Sequence, residues 1–204
     1  MMIYKQVLGE EFYHLHPALQ RRYGGAPGTH FNGDGMMWTI ETGPKWLAPL
    51  FKLGARRKFL FPEQGKDIPF TIRNTYTQGE AGEEQVHWER IFYIGKKKRY
   101  FNAWMSLDSE RKIMKDYLGE PPLLYSDLSF SVSQDGGLHI ASKRQRFIAG
   151  KVEIPLPRLL QGHVNVTEKY IESRQCFYIH VKVTNPIIGK VFAYEGEFTS
   201  GQLL

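Results

Sequence analysis

The chain has 204 residues, 42% hydrophobic and 14% aromatic, which is ample apolar side chain for a packed core and excludes a disordered polymer. Its formal net charge of +6, from 27 Lys and Arg against 21 Asp and Glu, favours anionic partners through long-range steering without naming one. A single cysteine, Cys176, excludes an internal disulfide, and no stretch approaches the roughly 18 consecutive apolar residues of a membrane-spanning helix.

Residues 4–23 place Tyr4, Val7, Leu8, Phe12, Leu15 and Leu19 near helical spacing, with Pro17 starting a second segment, so two short helices are expected. Gly24-Gly25-Ala26-Pro27-Gly28, followed by Gly33 and Gly35, predicts a loop, making residues 1–34 a helical and loop segment that packs on the remainder. Downstream, short β-branched and aromatic runs recur between turn signals, predicting about ten strands. They fall near 35–42, 57–62, 68–78, 84–95, 98–108, 111–118, 122–133, 137–148, 163–172, 176–184 and 190–199, with helical turns near 44–53 and 156–161. Gln134-Asp135-Gly136-Gly137 and Glu172-Ser173-Arg174-Gln175 read as hairpin turns.

No internal repeat is visible, which disfavours propellers and solenoids. So many strands avoid exposed edges best by closing. The expected fold is therefore mainly β, an antiparallel barrel-like sheet of calycin style with short N-terminal helices. The alternative, an α+β helix-grip cup, wants a long C-terminal helix, whereas Cys176 to Ser200 reads as strands. One domain spanning 1–204 is expected at this length. Met1 to Gly9 is too short, and too soon followed by Glu10 and Glu11, for a signal peptide, so the expected setting is cytoplasmic and not membrane-embedded.

Side chains of one parity share a strand face. In 84–95 the apolar parity holds Val86, Trp88, Phe92 and Ile94 with Arg90 among them; in 163–172 it holds Val164, Val166 and Tyr170 with Glu168. In 68–78 Asn74 interrupts Phe70, Ile72 and Tyr76, and in 137–148 Arg144 and Arg146 share the parity of Leu138, Ile140 and Ile148. An isolated charge in a core is prohibitively costly, so these groups pair or line a wet cavity. Arg90, Glu168, Asn74 and Arg144 or Arg146 are therefore expected to converge in a barrel lumen beside Trp88, Phe92, Phe70 and Tyr170, an apolar pocket with a few polar groups. The bland alternative is a buried Arg90–Glu168 salt bridge that sets strand register and binds nothing.

Other chemistry finds little support. His14 and His16 are two apart, so they do not share a helix face, and no metal-ligand spacing occurs among the seven histidines. The glycines of 24–28 lack a P-loop ending, Cys176 has no evident base beside it, and no nucleophile elbow occurs. Glu168 is the best single candidate for acid or base work. Tyr93, Tyr100 and Trp104 beside Lys96, Lys97, Lys98 and Arg99 resemble a stacking platform for single strands, but no nucleic-acid motif accompanies them, and no nucleic-acid partner is expected.

Several stretches together resemble the bacterial family known as domain of unknown function 4166. They are Leu15-His16-Pro17-Ala18-Leu19-Gln20-Arg21-Arg22-Tyr23-Gly24, Leu53-Gly54-Ala55-Arg56-Arg57, Phe61-Pro62-Glu63 and Asp67-Ile68-Pro69-Phe70-Thr71-Ile72. The likeness continues through Trp88-Glu89-Arg90-Ile91-Phe92, Asp116-Tyr117-Leu118-Gly119, Gly137-Leu138-His139-Ile140 and Gln145-Arg146-Phe147, to Gly196-Glu197-Phe198. The resemblance implies a single-domain module with an accessory binding role and supplies no catalytic residues. The preferred reading is a barrel that binds a small amphipathic or anionic molecule without a cofactor. The other two are an enzyme using Glu168 and a regulatory interaction module with no ligand.

Overall fold

A computed structural model describes residues 2–80 and 82–201 of the chain. Two short helices open it: α1 (Ile3–Leu8), then a 3-10 turn (Gly9–His14), then α2 (Pro17–Tyr23). Pro17 fits the first turn of α2, where its missing N–H is not needed, and His16 Nδ1 accepts from the Ala18 amide at 3.2 Å to cap that turn. Leu15, Ala18, Leu19, Arg22 and Tyr23 lie at helical spacing and are all buried.

The strands are β1 (His30–Thr42), β2 (Gly65–Gln78), β3 (Glu84–Ile94), β4 (Lys97–Tyr100), β5 (Ala103–Asp108), β6 (Ile113–Leu118), β7 (Leu124–Val132), β8 (Leu138–Ala149), β9 (Val152–Pro155), β10 (His163–Ile171), β11 (Cys176–Asn185) and β12 (Gly189–Ser200). All pairings are antiparallel, β12 returns to β1, and β8 pairs with β10, so ten strands close into a barrel. β4 lies against β3, and β9 against β8, outside the ring. Closure leaves no free edge in the ring, the physical advantage that pointed to a barrel from sequence. Between β1 and β2 a 3-10 turn (Lys45–Leu47) leads into α3 (Ala48–Arg56).

Four local expectations differ. β1 begins at His30, so residues 30–34 are strand rather than loop. Its glycines serve a close crossing instead: a Cβ on Gly35 would lie 2.0 Å from the Glu197 carbonyl oxygen, and one on Gly196 would lie 2.2 Å from that of Met36. Residues 57–62 form no strand, because the chain turns through Lys58 at φ 50° after α3. The segment 98–108 breaks at Phe101-Asn102, whose amides bond to the carbonyls of Arg90 and Lys58. β9 was not anticipated.

The N-terminal helices close one end of the barrel. Tyr4, Phe12, Leu15, Leu19 and Tyr23 enter the core with Met105, Met114 and Leu138 of the wall. At the middle and far end, Phe61, Phe70, Phe92, Phe101, Phe192 and Tyr194 pack with neighbouring ring centroids 5.0–6.3 Å apart. α3 and the 155–162 connection lie across that far mouth.

Candidate functional site

The lumen beneath the helical plug is built around Arg22, a residue that strand parity does not reveal. Carried into the barrel by α2, its guanidinium donates through Nε and Nη2 to the two oxygens of Glu168, the second at 3.2 Å, and through Nη1 to Asn74 Oδ1 at 3.0 Å. Tyr23 donates its hydroxyl to Glu168 Oε2 at 2.9 Å, and Tyr76 donates to the Arg22 carbonyl at 2.9 Å. Phe31 and Phe198 face the guanidinium at 4.4 and 5.0 Å from their centroids. Burial, reinforced by Glu168, pushes the Tyr23 hydroxyl well above the usual tyrosine range.

Glu168 therefore pairs with Arg22, not with Arg90, and both its oxygens are occupied. That arrangement corrects the Arg90–Glu168 bridge given above as the bland alternative. The signal for Arg22 lay in its register: with Leu15, Ala18 and Leu19 it falls on the apolar stripe of α2, where a solvated cation does not belong.

Deeper in the lumen, Arg90 lies over the Phe101 ring at 4.2 Å and donates through Nη1 to the Tyr194 hydroxyl at 3.3 Å. Its Nε makes no hydrogen bond to any described residue, nor does Oδ1 of the buried Asp116. Burial raises the Asp116 carboxyl to about 7, against a partial downward pull from Arg90. Trp88 donates its indole N–H to the Tyr4 hydroxyl at 2.8 Å, and Trp88 and Phe92 are packed among other side chains. Tyr170 lies elsewhere, half-buried against Phe177 and stacked on His16, on the wall of a cavity of about 530 Å³ beside the helical plug.

Arg144 and Arg146 do not join the lumen. β8 pairs Ser126 with Gln145 but Leu128 with Ser142, so one extra residue bulges from β8 between those pairs. The bulge reverses the parity of everything after it. Leu138 and Ile140 face inward before it and Gln145 after it, while Arg144 is exposed and Arg146 pairs outward with Glu153 at 2.7 Å.

The opposite mouth holds a cavity of about 260 Å³ beneath α3. Phe101, Leu118, Val164, Val183 and Val191 wall it, and Leu47, Leu50 and Leu53 cover it. Its polar side chains are already committed. Gln145 donates to the Gly162 carbonyl at 2.7 Å and accepts from the Gly162 amide at 2.8 Å. Asn185 donates to the carbonyls of Leu159 and Gln161 at 2.8 and 2.9 Å. These amides hold the 155–162 connection against the mouth and offer the cavity little hydrogen bonding, so its chemistry favours an apolar guest.

Among the described residues, no group of three or more His, Cys, Asp or Glu is placed to hold a metal ion, and no helix is long and apolar enough to cross a membrane. His16 caps α2 and bonds to Glu172 at 2.8 Å.

Comparison with known proteins follows the same lines as the sequence resemblance. The chain is 42% identical over 188 residues, 91% of its own length and 91% of the relative's, to Uncharacterized protein YndH of Bacillus subtilis (strain 168). No solved structure matches it. Residues 15–198, from the turn before α2 into the last strand, match the family described as Domain of unknown function (DUF4166), and the chain belongs to that family.

Proposed function

We propose that the barrel binds a small amphipathic molecule, with its apolar part in the mouth cavity beneath α3 and its anionic part among the cations of the rim. The observation that carries this reading is the cavity itself: a space of about 260 Å³ whose walls are leucine, valine and phenylalanine and whose polar side chains are spent on the protein. Water in such a space gains few hydrogen bonds, so replacing it with hydrocarbon is favourable. A chain of about eight methylenes buried there contributes about 6 kcal/mol, a Kd in the tens of micromolar before the head group adds anything. Lys52, Arg57 and Arg158 lie on the segments that frame the opening and supply the charge for an anionic head.

A second reading places a small polar ligand group between Arg90 and Asp116, with Asn74 and Trp88 nearby. Buried polar atoms normally find partners, and Arg90 Nε, Asp116 Oδ1 and Asn74 Nδ2 have none among the described residues.

Native mass spectrometry of the protein purified without denaturation distinguishes the two. The mouth reading expects an adduct that survives Arg90→Met and disappears in Val164→Phe, where the larger side chain fills the cavity. Loss in Arg90→Met with retention in Val164→Phe supports the lumen instead. Absence of any adduct, together with no uptake of the fluorescent fatty acid cis-parinaric acid, defeats both.

A further inference from the structure

We infer that the α3 end of the barrel docks on an anionic lipid bilayer. Large apolar side chains protrude there from three separate connections: Trp46 is 66% exposed, Leu159 and Leu160 are 59% and 65%, and Ile187 is 69%. All belong to one mouth, since Leu47, Leu160 and Ile188 line its cavity. The β8–β9 hairpin adds Val152 and Ile154, exposed and opposite Ala149 and Phe147 in the ladder. Single exposed hydrophobes need no explanation, but a ring of them around one opening does.

The charge on the same segments is strongly biased. Residues 43–60, 117–124, 145–163 and 185–191 carry nine lysines and arginines against two carboxylates, leaving 18 against 19 in the rest of the chain. Both carboxylates are engaged, Glu120 with Lys58 and Glu153 with Arg146. Lys45, Lys52, Arg56, Arg57, Lys151 and Arg158 have no ion pair with a described residue. Along α3 and the turn before it, Trp46, Leu50 and Leu53 recur at helical spacing beside a second stripe of Lys45, Lys52 and Arg56. Apolar and basic stripes side by side are the make-up of an interfacial helix on an anionic surface.

A second copy of this face is a poor occupant, because pairing it with itself would bring like charges together. Apolar tips on separate loops instead suit a fluid acyl boundary, which needs no fixed complementary shape. A docked mouth would also receive an apolar tail directly from the bilayer. That last step rests on the ligand reading above; the docking does not.

Co-sedimentation with phosphatidylcholine vesicles, with and without phosphatidylglycerol, tests the inference on the full chain. Binding is expected only with the anionic lipid and should weaken as salt rises. At about fivefold per charge, the triple change Lys45→Ser, Lys52→Ser and Arg56→Ser should reduce it about a hundredfold. Brominated acyl chains should quench part of the tryptophan emission, and Trp46→Phe should abolish that part while circular dichroism and Tm stay unchanged. Equal binding to neutral vesicles, no binding, or a dimer that shields Trp46 would overturn the inference. Vesicle binding without any adduct or fatty-acid uptake keeps the docking and removes the ligand reading; uptake without vesicle binding does the reverse.

Discussion

Arg22→Met is the change that most directly tests how this barrel is held closed. It leaves Glu168 fully buried with only the Tyr23 hydroxyl as partner and removes the donor to Asn74 Oδ1, while the methionine still fills much of the space between Phe31 and Phe198. Removing one member of a buried pair costs about 3–5 kcal/mol, mostly for the charge left uncompensated. Against a total of about 5–15 kcal/mol for a domain, the variant should remain folded but lose roughly 10 °C in Tm. Glu168→Leu should cost a similar amount by stranding the guanidinium. The double variant, with no buried charge at this site, should recover to within about 2 kcal/mol of the parent. Urea titrations followed by tryptophan emission read all four corners of the cycle, since Trp88 lies 5.5 Å from the Arg22 guanidinium. Single losses below about 1 kcal/mol, or losses that simply add in the double variant, would refute the picture of α2 as a plug locked by this pair.

Two further outcomes concern the wall. Asp116 keeps its proton up to about 7 in the folded chain, whereas an unfolded aspartate releases it near 3.8, so the folded state binds more protons in between and stability should fall as pH rises from about 4 to 7, by on the order of 4 kcal/mol. Asp116→Asn should remove that slope and be the more stable protein at pH 8; denaturation curves with the same pH dependence in both proteins would contradict this. Gly196→Ala drives a Cβ to 2.2 Å from the Met36 carbonyl oxygen, backbone against backbone, and should cost about 3 kcal/mol or more; a Tm within a degree or two of the parent would show that β1 and β12 separate easily there.

The sequence, read alone, carries the fold class because the β-branched and aromatic runs, their period of two and the Asp-Gly hairpin signal at Asp135-Gly136 are local. Each determines its own strand or turn with little help from elsewhere, and the excess of strands over possible edges argues for closure. It also identifies Arg90, Asn74 and Glu168 as polar groups on apolar faces, and all three are buried.

What tertiary structure decided is which groups meet. One bulged residue in β8 sends Arg144 and Arg146 to the outside and turns Gln145 inward, because a one-residue shift exchanges the two faces of a strand. Arg22 reaches Glu168 across 146 positions of sequence, a partnership that exists only once α2 has closed the barrel. The mouth cavity is likewise assembled by α3, the 155–162 connection and six strands that lie far apart in the chain. Local propensity determines elements, whereas a site is a property of the distances between them.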